Sequence, residues 1–97
     1  MHERELRTFV RIAELGRMDL AARALGYSQP AISYHVRSLE RALGVRLFRR
    51  EAAGSRPTPE AERLLPWARA ALRLFDLMRS SADGKRRAFA DEPSLLG

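Results

Sequence analysis

Two groups of side chains in this sequence are equipped to read and grip an anionic polymer. Gln29, Ser33, Tyr34, Arg37 and Arg41 recur at near-helical intervals, together with Ser28 and Pro30 at the start of the same segment. Amide, hydroxyl and guanidinium groups at that spacing match the donors and acceptors of base edges in a major groove. Arg37 and Arg41, one turn apart, suit phosphate contacts or solvation. Arg49, Arg50 and Arg56 bracket a short turn-rich stretch, from which they can reach phosphate or an adjacent minor groove. One of the three is also a candidate partner for Glu40.

No other chemistry is legible. The chain has no cysteine, which excludes disulfides, thiolate metal sites and a thiol nucleophile and fits a reducing compartment. His2 and His35 are the only imidazoles, too few for a His-rich metal site, and His35 reads as an exposed helix residue. No glycine-rich phosphate loop and no apolar-embedded carboxylate pair occurs. The expectation is a non-enzyme without cofactor, metal or small-molecule ligand. No apolar run nears the roughly 18 residues of a membrane span, and the start lacks signal-peptide order. A cytoplasmic, nucleoid-associated protein without membrane contact is expected.

Charge supports a nucleic-acid partner. The 97 residues carry a formal charge of +6 with a pI near 11.2. Lys85 is the only lysine, and the other basic residues are arginine, whose planar fork suits phosphate and guanine. Residues 1–16 balance, as do residues 80–97. Nearly all the excess falls in 17–56, where eight arginines face Asp19, Glu40 and Glu51. A localised basic excess on a small domain is the footprint of nucleic-acid binding.

Helices must position these groups. Leu6, Phe9, Val10 and Ala13 line one face of a first helix stopped at Gly16. Asp19 reads as the N-cap of a short helix over 20–25, closed by Gly26. Ser28 caps a third helix with Pro30 in its first turn. Ile32, Val36, Leu39 and Leu43 form its core stripe, and Gly44 ends it. Val45-Arg46-Leu47-Phe48-Arg49-Arg50, a turn, and Arg56-Pro57-Thr58 then read as a small hairpin. Thr58-Pro59 opens the longest helix candidate, 59–79. Its residues Leu64, Ala68, Ala71, Leu72, Phe75 and Met78 form one stripe, with Trp67 beside it. Leu65, Leu74 and Leu77 add apolar surface elsewhere, so the helix has more than one face to cover. A second copy of the chain is the expected cover, and Pro66 is expected to bend the helix.

These residues also resemble a known family. Leu6-x-x-Phe9, Ala21-Ala22-x-x-Leu25-Gly26-x-Ser28-Gln29-Pro30-Ala31-Ile32-Ser33, Leu39-Glu40-x-x-Leu43-Gly44-x-x-Leu47-Phe48-x-Arg50 and Thr58-Pro59 are similar to the N-terminal DNA-binding domain of LysR-type transcriptional regulators. The likeness covers about residues 4–79. It implies a mainly α fold: a three-helix core with a small β-hairpin wing, followed by a long dimerisation helix. It further implies antiparallel dimerisation and binding to imperfect inverted repeats in promoters. The family commonly has an aromatic where Met18 stands, and often Arg and Gln where Tyr34 and His35 stand. Pro57, Glu60 and Ala61 also depart from its wing-to-helix pattern. Nothing after Arg79 resembles the family's effector-binding domain.

The expected organisation is a winged helix-turn-helix over 1–57, a dimerisation helix over 58–79 and a flexible tail over 80–97. The expected function is a homodimeric, sequence-specific regulator on double-stranded DNA. Two alternatives stand beside it: a modulator that heterodimerises with full-length relatives, and a nonspecific nucleoid-type binder.

Overall fold

The computed structural model describes the backbone of residues 3–91 and the side chains of residues 3–83. Three helices, α1 (Glu3–Leu15), α2 (Met18–Leu25) and α3 (Gln29–Leu43), precede a two-stranded antiparallel hairpin, β1 (Phe48–Glu51) with β2 (Gly54–Pro57), and a long helix α4 (Pro59–Asp91). The fold is mainly helical, a three-helix core with a hairpin wing and a long C-terminal helix.

Local chemistry sets most boundaries. Gly26 and Gly44 take the left-handed conformation after α2 and α3, and each donates its N–H back to the preceding turn, to the Ala22 and Glu40 carbonyls. A residue with a Cβ would be strained there. The Ser28 hydroxyl accepts the Ala31 N–H at 3.2 Å and caps α3 as expected. Thr58 accepts the Ala61 N–H at 3.1 Å and caps α4, and its hydroxyl donates to the Arg46 carbonyl at 2.6 Å. One residue therefore starts the long helix and fastens it to the strand lead-in.

Two expectations about elements need correction. Asp19 does not cap α2. The helix begins at Met18, and Arg17 holds the Asp19 carboxylate by two hydrogen bonds of 3.0 and 2.9 Å. The expected tail at 80–97 is helical as far as Asp91, because α4 does not stop at Arg79. Ala, Arg and Lys in 82–90 favour a helix, and a single Gly84 costs it only about 1 kcal/mol. Residues 92–97 lie outside the described residues. Pro66 lies inside α4, where it supplies no N–H for the turn before it.

The core lies where α1 and α3 cross and the wing lead-in enters. Phe9, Ile12, Ile32, Leu39 and Leu47 are completely buried. The Phe48 ring meets Phe9 edge-on at 5.8 Å. Each such side chain contributes roughly 1.5–3 kcal/mol on burial. From α4, Ala61, Ala68 and Leu72 close the core, with Leu64, Leu65 and Phe75 packed against its edge.

Ion pairs reinforce the α1–α4 contact. Glu3 and Asp76 alternate with Arg7 and Arg79 in a closed ring of four pairs. The two guanidiniums, Arg7 first, hold the Glu3 carboxyl below its ordinary pKa. The wing is pinned separately: the Ser55 N–H donates to the Gly16 carbonyl at 2.8 Å. That contact needs Gly54, where a Cβ would sit 2.3 Å from the Gly16 oxygen.

Candidate nucleic-acid interface

The core stripe of α3 turns the rest of the helix outward. Ile32, Val36 and Leu39 are buried, so Pro30, Tyr34, Arg37 and Arg41 are left exposed on the opposite side, and Gln29 is exposed at the helix start. Ser33 is half-buried at the edge of that surface. Ser28 is exposed, but its hydroxyl is engaged as the cap.

The hairpin register decides what the wing presents. Phe48 is buried, and side chains alternate along a strand, so Arg50 shares its inward-leaning side. Arg50 lines two grooves against the helices. One runs past Arg17 and Gln29, the other past Ser33, Arg37 and Arg46. Arg49 and Arg56 lie on the other side of the hairpin, directly opposite each other in the ladder. Both are exposed. Like charges facing across a ladder are unfavourable, and Glu51, 3.8 Å from Arg56, offsets them in part. An approaching anion would relieve the same repulsion.

The structure thus brings Arg50 to one groove with Gln29 and to another with Ser33 and Arg37, and leaves Arg49 and Arg56 on a separate side. Glu40 pairs with none of the three wing arginines. Its carboxylate accepts the Leu47 N–H at 2.8 Å and lies 3.7 Å from Arg46, tying the end of α3 to the wing lead-in. Arg17 and Arg46 were not singled out in the sequence. Their only signal was membership in the basic block 17–56, because neither stands on a readable helical face.

His35 also departs from expectation. It is buried, with 6% of its surface exposed, and its Nδ1 lies 2.9 Å from the Thr8 hydroxyl. Tyr27 meets its ring at 4.9 Å and Tyr34 at 6.4 Å, both edge-to-face. Burial, and then the Arg4 charge, lower the imidazole pKa, while Glu5 raises it. Position 35 lies three residues after Ile32, on the inner side of α3, which is the signal that was available.

The expected dimer residues divide between two faces of α4. Ala68 and Leu72 are buried in the chain's own core, and Leu64 and Phe75 pack against it. Ala71 is half-buried. Trp67 and Met78 are 73% and 67% exposed, as are Leu74 at 61% and Leu77 at 51%. The stripe named from the sequence is therefore largely the inward face, since periodicity alone cannot say which apolar face turns in. Among the described residues, no group of three His, Asp or Glu side chains gathers as it would around a metal. No helix there is long and apolar enough to cross a membrane.

Comparison with known proteins bears on this surface. The family model for the bacterial regulatory helix-turn-helix protein, lysR family, matches residues 4–62. The HTH-type transcriptional regulator TfdS of Cupriavidus pinatubonensis is 42% identical over 96 residues, covering 99% of this chain and 32% of that protein. The chain thus spans about a third of that relative's length. Among solved structures, hydrogen-peroxide-bound OxyR of Corynebacterium glutamicum is 39% identical with a TM-score of 0.83, over 88% of this chain and 26% of that one. The DNA complex of the CbnR DNA-binding domain is 38% identical with a TM-score of 0.76, over 91% and 98%.

Proposed function

This chain belongs to the lysR family of bacterial regulatory helix-turn-helix proteins, and from that premise we propose that it regulates transcription by binding specific double-stranded DNA as a homodimer. The carrying observation is the outward side of α3, where Gln29 and Tyr34 are exposed and Ser33 and Arg37 share a groove with the wing's Arg50. Side chains able to read base edges stand between side chains able to hold phosphate. The CbnR domain, which has the same fold, is known in complex with DNA.

The reading assigns parts as follows. Residues 1–57 form the DNA-reading head, and the helix from 58 onward carries the dimer contact. Gln29, Pro30, Ser33 and Tyr34 meet bases, while Ser28 sets the start of α3. Arg37, Arg41, Arg49, Arg50 and Arg56 meet phosphate. Trp67, Leu74, Leu77 and Met78 form the dimer seam, with Ala71 at its margin. Two heads related by a two-fold axis would read an inverted repeat in successive major grooves, about 34 Å apart or a multiple.

Selection of bound duplexes from a random pool tests this directly. The expected product is an inverted repeat bound by two copies. Tyr34→Ala or Ser33→Ala should then reduce preference for the selected duplex over a scrambled one, since each good base contact discriminates by roughly 1–3 kcal/mol. Equal losses on both duplexes would remove those residues from the reading surface.

A further inference from the structure

We propose that His35 is a positioning residue for Tyr34, holding its ring in the orientation that reads a base. The proposal rests on the reading of Tyr34 as a base contact and goes beyond it. Tyr34 is 57% exposed, and its one ring contact among the described residues is the edge-to-face meeting with His35 at 6.4 Å. An exposed tyrosine without such a contact spreads over several rotamers and must be ordered when DNA arrives.

His35 is itself fixed from two sides. Thr8 of α1, fully buried, hydrogen-bonds Nδ1 at 2.9 Å. The Tyr27 ring, in the turn between α2 and α3, abuts the imidazole at 4.9 Å. Ring pairs at these separations are directional as well as attractive. The buried α1–α3 packing is thereby carried through one imidazole to a side chain on the outer surface of α3. Arg4 and Glu5 of α1 are the charged groups that act on this ring. Glu3, Arg7 and Ser38 complete the open crevice beside it.

His35→Asn tests the chain of contacts, because its carboxamide places a polar atom at the δ position from which Nδ1 meets the Thr8 hydroxyl but offers no ring to Tyr34. The probes are a duplex selected by the wild-type protein and a scrambled duplex of equal length. The expected result is a several-fold loss of preference for the selected duplex, with affinity for the scrambled one unchanged. In a Tyr34→Ala background the same substitution should cause no further loss. An equal loss in both backgrounds overturns the proposal while leaving Tyr34 as a base contact. A Tyr34→Ala variant with undiminished preference overturns the underlying reading as well.

A second measurement needs neither DNA nor a variant. The Tyr34 ring resonances of the free protein should shift along the same titration curve as the His35 imidazole. Tyr34 signals that stay fixed through that titration would show the two rings uncoupled and sink the proposal.

Discussion

Burial and the Arg4 charge favour the neutral form of His35 in the folded protein. An imidazole whose folded pKa lies below its unfolded value contributes its full stability above about pH 6.5. That stability falls as the pH drops through 6.5 toward the folded pKa, because the unfolded chain then binds more protons. Melting at pH 5.5 should therefore come lower than at pH 7.5, with each kcal/mol worth about 4–8 °C in a domain of this size. His35→Asn should shrink the difference. Glu3 has the same sign in a lower window: Arg7 and Arg79 depress its pKa, so its share is lost only as the pH falls below about 4.5. A melting temperature flat between pH 7.5 and 5.5 would contradict the His35 assignment. The wing arginines give a second residue-level test. Arg50→Ala should weaken binding to all duplexes and reduce the log–log salt slope by about 1. Arg49→Ala should do the same with no loss of thermal stability, since it removes one of two like charges facing across the ladder.

At the scale of elements, caps and pins decide whether the reading surface is held in place. Ser28→Ala removes the side-chain acceptor for the Ala31 N–H and should cost about 1 kcal/mol in thermal or denaturant unfolding. Gly54→Ala places a methyl group against the Gly16 oxygen and should free the wing from the α1–α2 turn. Amide exchange at Ser55 should then accelerate while that at Leu39 keeps its protection; unchanged Ser55 exchange would show the pin to be dispensable. These devices differ in how far the sequence exposed them. Ser28, Gly26, Gly44 and Thr58 act locally, within a turn of their partners, and their residue types gave the boundaries away. The Gly16–Ser55 contact joins positions far apart in the chain and left no local mark. Asp19 had the right type for a cap, but the neighbouring Arg17 competes for its carboxylate. The outward side of α3 was legible, because a core stripe fixes it. Arg17 and Arg46 were hidden because tertiary folding alone carries them to the grooves.

The whole molecule turns on which face of α4 is left uncovered. Periodicity revealed two apolar faces, and only packing against α1 shows that Ala68 and Leu72 turn inward while Trp67, Leu74, Leu77 and Met78 do not. Antiparallel pairing of two such stripes, centred between positions 72 and 73, would set Trp67 of each copy beside Met78 of the other. Sulfur–aromatic contact of this kind is favourable, and the pairing would cover the bulky side chains now facing water. Two substitutions two residues apart should therefore fail differently. Leu72→Asp puts an unpaired charge into the chain's own core and should destabilise the fold by at least the roughly 2–5 kcal/mol of a Leu→Ala change. Leu74→Asp should leave the circular dichroism of the head intact and yield monomers in sedimentation at tens of micromolar, where the wild type should be dimeric. Its melting temperature should lose the concentration dependence that a dimer imposes. Binding to an inverted-repeat duplex should weaken sharply in Leu74→Asp, while binding to a single half-site stays unchanged, because the reading surface of α3 is untouched. A Leu74→Asp protein that still sediments as a dimer would place the contact on another face.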